Sequence, residues 1–473
     1  MFKTQLSRKT DLEERDGAHA ARMSPGQASL FQALLSLEHP PSDVLDKERS
    51  QSRITTALAL NTPLAALQCT LYNEPVLDHG LESNSLPFVL YSYSAWMIRM
   101  LFDPARVMSQ TRDYVIRHYY ESEASRRLVV LIANILKSIA ANPNTDPGYV
   151  HKASALLQLI HRSLSRVASR PLNPSREVDA REATKGLYHT IELMSATRFA
   201  PLQVPLELLR TAAPVFRRAL SGPLDERVHL ATALLHLEPN IRHYPVVDVV
   251  YSMASGLPTN IKYDTSWCSG NINYAALLDD SSHLGMSWLI GLPDQLVVIL
   301  ARINALSQED GGGADIEMHE IEENLQQLTT RIEEHSRLPE CSSDPRAAVP
   351  KAWCMVAYIY FYLSVCGVDA SDPRVIHAQQ TIMEIIQTSE QSLRLDTHLS
   401  GCMLFAGIVT SRSDERHLII TRLTNLPESA LSDNSFVTGI LALQDLWARV
   451  DTENRPAEWS DYRLAAMRIA KVG

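Results

Sequence analysis

The six cysteines of the chain could serve as metal ligands or nucleophiles, but their spacing argues against both roles. None of them stands in a C-x-x-C pair or at another short spacing typical of a zinc site. Two of them lie in an apolar stretch, where a free thiol behaves as a small hydrophobe. We therefore predict buried or incidental thiols, no metal site and no disulfide framework for Cys69, Cys268, Cys341, Cys354, Cys366 and Cys402.

The histidines are also poorly spaced for binding a metal. Ligation from one helix face requires two histidines four positions apart. His151 and His161 lie further apart on one predicted helix, and His236 and His243 flank a predicted loop. The sequence has no G-x-S-x-G, no H-E-x-x-H and no Gly-rich phosphate loop after a strand. It therefore predicts no enzyme, no catalytic residue and no cofactor.

One acidic pair leaves an enzyme alternative open. Asp279–Asp280 belongs to "LLDDSSH" (Leu277–His283). An all-α enzyme of the terpene-synthase type would use an aspartate-rich metal motif on a helix, but this stretch has no partner motif. We favour the interpretation that the pair lies in a polar loop and caps the segment that follows.

A basic stripe suggests a phosphate contact or a nuclear-import patch. Arg162, Arg166 and Arg170 are spaced four apart. Acidic residues dilute the stripe, and no aromatic residues alternate with the arginines to stack on bases. A solvated helix face is the favoured interpretation. The stripe continues with Arg176 and Arg181, and the diluting acids are Glu177, Asp179 and Glu182.

The most apolar stretch of the chain is "KAWCMVAYIYFYLSVCGVDASDPRV" (Lys351–Val375). Its apolar part is about 22 Å long as a helix, whereas a bilayer core is about 30 Å thick. Its three tyrosine hydroxyls each need a hydrogen-bond partner on a different helix face. The stretch therefore predicts a buried core helix rather than a membrane span. The tyrosines are Tyr358, Tyr360 and Tyr362.

Local signals set the limits of this helix and the next one. Pro350 suits a first helical turn, and Gly367 is a natural left-handed stop. Ser371 or Asp372 can cap the following helix. We therefore predict one helix over Ala352–Cys366 and another over Pro373–Gln391.

The rest of the chain favours an all-α fold, an irregular superhelical array of packed antiparallel helices. Helical periodicity recurs from "ASLFQALLSL" (Ala28–Leu37) onward, and "GLPTNIKYDTSWCSGN" (Gly256–Asn271) is predicted to be an irregular loop. The polar, charged and aperiodic composition of residues 1–25 predicts a disordered tail. Residues 26–473 then form one domain, with internal linkers near 169–179, 307–315 and 338–350.

Composition gives the compartment and one further alternative. The net charge of −10 gives no global attraction to phosphates, and the polar N-terminus does not resemble a signal peptide. A reduced compartment, cytoplasmic or nuclear, follows. In "IEENLQQLTTRIEEH", Ile321, Leu325, Leu328 and Ile332 recur at a/d spacing. Two heptads favour a helix packed on its own domain over a dimer helix.

Four motifs follow one another in the second half of the chain, at Leu284–Leu306, Ile359–Val375, Asp396–His417 and Glu453–Arg463. Together they resemble the fungal-specific transcription factor domain, the helical regulatory region of fungal zinc-cluster proteins. The likeness extends from about residue 28 and is densest after 280.

The resemblance implies an all-α nuclear regulator of transcription that senses a small molecule or a partner protein. The family's DNA reader is an N-terminal cluster of six cysteines that binds two zinc ions. The first 68 residues here contain no cysteine. Either the sequence begins after the reader, or the protein regulates without one, so direct DNA binding is not expected of this chain.

The expected partners are proteins of the transcription machinery or a small-molecule effector, and a homodimer stays open. No membrane association is expected. The alternative function is a cytoplasmic helical scaffold for protein–protein interaction, which nuclear exclusion would favour. The sequence does not identify the residues that would bind a ligand or DNA.

Overall fold

The computed structural model describes residues 85–142, 144, 146, 148–269, 271–280, 283–308, 315–337, 344–430 and 434–470. The predicted tail over 1–25 and the helix predicted at Ala28–Leu37 lie outside these residues. The described chain is helical almost throughout, which confirms the all-α prediction. No described helix is both long and apolar enough to cross a bilayer.

The helices follow one another with short connections. In chain order they are α1 (Ser85–Met100), α2 (Met108–Glu121), α3 (Glu123–Ala141), α4 (Tyr149–Ser169), α5 (Arg176–Gly186), α6 (Thr190–Thr197), α7 (Gln203–Ala219), α8 (Leu230–Leu234), α9 (Pro239–Ser255), α10 (Tyr274–Asp279), α11 (Ser287–Ile290), α12 (Asp294–Leu306), α13 (Asp315–Ser336), α14 (Ala348–Ser364), α15 (Pro373–Thr388), α16 (Leu393–Val409), α17 (Ser413–Thr424), α18 (Ser435–Glu453) and α19 (Trp459–Ala470).

The chain divides into two compact units. The described part of the smaller unit comprises residues 85–94 and Arg112–Ala133. All three of its helical segments contribute buried apolar side chains: Phe88, Val89, Tyr93, Val115, Tyr119, Val129 and Ile132.

The larger unit comprises Ala95–Thr111 and the chain from Asn134 onward. Helix α14 is largely buried and packs against α12, α13, α15, α16 and α19. Tyr360 is only 2% exposed, and its hydroxyl donates a 2.7 Å hydrogen bond to Asn304 Oδ1 in α12. The prediction of a core helix in this stretch is confirmed.

The boundaries of α14 differ slightly from the predicted ones. The helix begins at Ala348, before Pro350, because the first four N–H groups of a helix have no intrahelical partner and Pro350 is the third residue. It ends at Ser364, and Gly367 takes the left-handed conformation with φ of 66°. Asp372 caps α15, as predicted, by accepting a hydrogen bond from the Arg374 amide.

Two smaller predictions have a definite outcome. Helix α13 buries Ile321, Leu325 and Leu328 and packs on α12 and α14, which confirms a helix packed on its own domain. The loop predicted over Gly256–Asn271 is not wholly irregular. It contains the two-residue strands β2 (Tyr263–Asp264) and β3 (Cys268–Ser269). Strand β2 pairs in parallel with β1 (Val228–His229), and β3 pairs in antiparallel orientation with β4 (Ile272–Asn273).

Candidate ligand cavity

A cavity of about 270 Å³ lies within the larger unit, and we call it the α9–α16 cavity. Its walls come from α6, α9, α11, α14, α16, α18 and α19, together with the last residue of α1. Helices from widely separated parts of the sequence therefore meet around one space. Apolar side chains dominate the walls, among them Met194, Val246, Val250, Leu289, Leu404 and Phe436.

A tight turn between α11 and α12 positions one wall of the cavity. Gly291 has φ of 78°, and a Cβ there would come within 2.7 Å of Val349 in α14. Glycine therefore allows α11 to approach α14 closely. The buried Asp294 carboxylate fixes the turn by accepting a 2.8 Å hydrogen bond from the Met286 amide. Burial raises the pKa of Asp294 to about 6.

Helix α16 supplies a second wall. A Cβ at Gly401 would come within 2.9 Å of the Trp353 ring of α14, so glycine lets that ring lie against α16. The Trp353 indole donates a 3.3 Å hydrogen bond to the Ile290 carbonyl, which links α14 to the α11 wall. Trp353 and Gly401 both line the cavity. The walls are thus held by specific contacts between helices.

One polar group of the cavity wall is unpartnered. His398 lines it and is 3% exposed, and its Nε2 has no hydrogen-bond partner among the described residues. An unpartnered buried polar atom is uncommon, because its desolvation is not compensated. Thr397, the preceding residue, accepts a 2.7 Å hydrogen bond from Arg99.

A buried acid pairs incompletely with two arginines beside this histidine. Glu428 is fully buried and lies 3.4 Å from Arg99 Nη2 and 3.6 Å from Arg198 Nη2. Arg198 lines the cavity and is beyond hydrogen-bond distance of Glu428. One acid therefore faces two arginines.

Burial keeps both histidines of the cavity neutral at physiological pH. For His243 in α9, burial lowers the pKa to about 4 although Glu192 opposes the shift. For His398, burial and then the surrounding positive charges lower the pKa to about 3. A neutral imidazole can donate or accept one hydrogen bond at each ring nitrogen. The charges that act on His398 belong to Arg394, Arg198, Arg99 and Arg346.

The residues singled out from the sequence lie mostly elsewhere. His161 Nε2 lies 3.2 Å from Thr211 Oγ1, and His151 is exposed. Of the four histidines singled out from the sequence, only His243 lines the α9–α16 cavity. His236 Nδ1 accepts a 3.0 Å hydrogen bond from the amide of Glu238, the residue that precedes α9. In the described parts of the chain, no three metal-ligating side chains converge.

The basic stripe is divided between two roles. Arg162, Arg166 and Arg181 are exposed, as the solvated-face interpretation predicts. Arg170 and Arg176 instead bind the buried carboxylate of Asp179 in α5, together with Arg218 of α7. For these two arginines the prediction of a solvated face is wrong, because sequence alone did not reveal that Asp179 is buried.

The acidic pair is also placed differently from the prediction. Asp279 is the last residue of α10, so it does not cap a segment that follows. Its carboxylate lies 3.0 Å from Arg331 Nη1 of α13. Asp279 thus joins α10 to α13 at the surface.

The cavity residues were not found from the sequence, although one signal was present. His398 lies in the motif Asp396–His417, just before the uncharged, mostly apolar run from Gly401 to Val409. Such a residue is a candidate for an internal site, but its partners depend on helices that are distant in sequence.

Comparison with known proteins identifies a family. A family model described as "Fungal specific transcription factor domain" matches residues 229–467, half of the chain. All four motifs quoted above lie within this range, although the sequence predicted a likeness from about residue 28. No curated protein and no solved structure gave a significant match.

Proposed function

The chain belongs to the family of the fungal specific transcription factor domain, and from this premise we propose that it regulates transcription in the nucleus by sensing a small molecule in the α9–α16 cavity. Family membership supports the role in transcription regulation. The cavity supports the choice of a small molecule as the signal. The proposal assigns no chemistry to the cavity, and proteins of the transcription machinery would be the partners that respond.

The observation that carries the proposal is the combination of a mostly apolar space with a small number of polar groups in its wall. Ligand sites are typically concave and mostly apolar, with a small number of polar groups that fix orientation. An apolar cavity of about 150 Å³ is enough to bind benzene. The α9–α16 cavity, at about 270 Å³, has room for a somewhat larger molecule.

The signal would act by changing which helix packing is populated. A ligand shifts a conformational equilibrium only by its difference in affinity for the two states. Here the ligand would contact α9, α16 and α18 together. A packing in which these three helices enclose it would gain population, and the surface they present to partner proteins would change with it.

Filling the cavity tests the proposal. Ala442 in α18 is 1% exposed and lines the cavity, whereas Ala378 in α15 is 2% exposed and lies outside it. We expect Ala442→Leu to cost little stability, because the added carbons enter existing space. Ala378→Leu should cost about 1–3 kcal/mol, as overpacking of a filled core does.

The same pair of variants tests binding. We expect calorimetry to detect binding of octanamide, an uncharged probe with an apolar tail, to the wild-type chain and to Ala378→Leu. Ala442→Leu should show no binding. The proposal fails if filling the cavity leaves binding unchanged, or if the wild type binds neither this neutral probe nor a charged molecule of the same shape.

A further inference from the structure

The polar part of the α9–α16 cavity has one unused hydrogen-bonding nitrogen. His398 Nε2 is buried and unpartnered among the described residues. The Phe102 ring lies against His398 in an edge-to-face arrangement, with 5.5 Å between the ring centroids, and a phenyl ring offers no polar atom. The nitrogen would gain a partner if a ligand brought a polar oxygen to it.

The charges around this nitrogen leave one positive charge without a counterpart. Two more arginines near His398 are balanced: Arg346 bonds to Asp344, and Asp344 and Asp103 both act on Arg394. The remaining two arginines, Arg99 and Arg198, share the single carboxylate of Glu428. The surplus of one positive charge fits a ligand that carries one negative charge.

Arg198 is the arginine best able to meet such a ligand. Arg99 is fixed by its hydrogen bonds to Thr397 and Glu428. Within the described chain, the guanidinium of Arg198 makes no hydrogen bond, and its side chain is a quarter exposed. A guanidinium presents five N–H donors in a planar fork that matches a carboxylate.

We propose that the ligand of the α9–α16 cavity is an apolar monocarboxylate, whose carboxylate binds Arg198 and His398 Nε2 while its hydrocarbon part lies against the apolar wall. This inference rests on the proposed function, because it names the class of the molecule that is sensed. An eight-carbon chain fits the space on the scale at which about 150 Å³ holds benzene.

The surroundings disfavour the other charge classes. A cation would be repelled by the arginines and would leave the surplus charge uncompensated. A dianion would bring a second negative charge into an apolar space with no positive group to pair it, and an unpaired buried charge is costly. A neutral molecule would satisfy the histidine alone.

Paired probes on the full chain test the inference. Octanoate and octanamide have the same shape and differ in charge. By isothermal titration calorimetry at pH 7.5, we expect octanoate to bind about tenfold or more tightly than octanamide, the range of a charge-assisted hydrogen bond. Octylammonium should not bind.

Two arginine variants locate the effect. Arg198→Gln should reduce the affinity for octanoate about tenfold and leave that for octanamide unchanged. Arg162→Gln, at an exposed arginine of α4, should change neither and serves as the matched control.

The outcomes separate this inference from the function on which it rests. If octanoate and octanamide bind equally well, the ligand is not selected as a carboxylate and the inference is overturned, while the cavity stays a ligand site. If Arg198→Gln and Arg162→Gln behave alike, the assignment of Arg198 is overturned. If neither probe binds the wild type, the proposed function and the inference fall together.

Discussion

Two groups of arginines in the larger unit differ in whether the carboxylate that they share is fully hydrogen-bonded. Around Asp179, both carboxylate oxygens accept hydrogen bonds, and Arg218 also donates to the carbonyls of Val167 and Arg170 at 2.7 Å. At the α9–α16 cavity, Glu428 Oε1 accepts no hydrogen bond, and Arg198 and His398 Nε2 have no hydrogen-bond partner in the described structure. A carboxylate with both oxygens hydrogen-bonded is typical of a structural site. Polar groups left unpartnered beside an apolar space are typical of a ligand site.

The pKa values of the two groups reflect this difference. Hydrogen bonds from Arg218 lower the pKa of Asp179 to about 2, so the fold favours its charged form. Burial lowers the pKa of His398 to about 3, so the fold favours its neutral form. The Asp179 carboxyl is thus stabilised as a charged group, and the His398 imidazole as a neutral one.

The largest effect is expected where a charge enters a fully partnered part of the core. Tyr360→Asp would bury a carboxylate and leave a void where the ring packs against Trp459. We expect a loss of about 4 kcal/mol or more in unfolding free energy, measured by urea denaturation. Glu320→Gln, on the exposed face of α13, should change it by less than about 0.5 kcal/mol. A Tyr360→Asp protein as stable as the wild type would mean that α14 has a solvated face.

Breaking the Asp179 group should have the next largest effect. Asp179→Asn keeps the shape of the side chain but leaves Arg218 buried without its counter-charge. We expect a loss of about 3 kcal/mol, as for other buried ion pairs that lose one partner. Asp414→Asn, at an exposed pair with Arg412, is the matched control and should leave the urea midpoint unchanged. Equal behaviour of the two variants would contradict a structural role for Asp179.

Removing the unpartnered nitrogen should have a smaller effect of opposite sign. His398→Phe replaces one ring by another and removes a polar atom whose burial is uncompensated. We expect stability to rise by about 1 kcal/mol in the absence of ligand. His417→Phe, at an exposed position of α17, should give no such gain. A marked loss of stability in His398→Phe would show that the nitrogen is already partnered.

The effect that is smallest at neutral pH comes from protonation of His398, and it grows as the pH falls. Since the folded pKa of His398 lies below the usual value near 6.5, the unfolded chain binds the proton first as pH falls. The stability of the wild type should therefore decline relative to His398→Phe as pH falls from about 6.5 toward 3. Above about pH 7.5 the difference should be constant. A difference that does not change between pH 7.5 and 5 would contradict the depressed pKa.

The sequence predicts those parts of the fold that depend on local signals. Asp372 caps α15 and Gly367 stops the preceding helix because each acts on the backbone next to it. The start of α14 was placed four residues late, since a proline within the first turn does not say how many residues precede it. The family likeness was visible because its motifs are packing motifs with local turns.

The cavity could not be predicted in the same way. Its walls come from helices as distant as α6 and α19, and their relative positions depend on tertiary packing. Arg170 and Arg198 look alike in the sequence. Only the fold places Arg170 beside the buried Asp179, and Arg198 at an open space beside a shared carboxylate.

The central claim is that occupancy of the α9–α16 cavity controls transcription, and a reporter assay measures it most directly. The full chain would be fused to an unrelated DNA-binding domain and expressed as wild type, Ala442→Leu and Ala378→Leu, with and without octanoate. We expect octanoate to change the output of the wild type and of Ala378→Leu, and Ala442→Leu to give one output in both conditions. The same response in Ala442→Leu as in the wild type, or no response in any of the three, would contradict the claim.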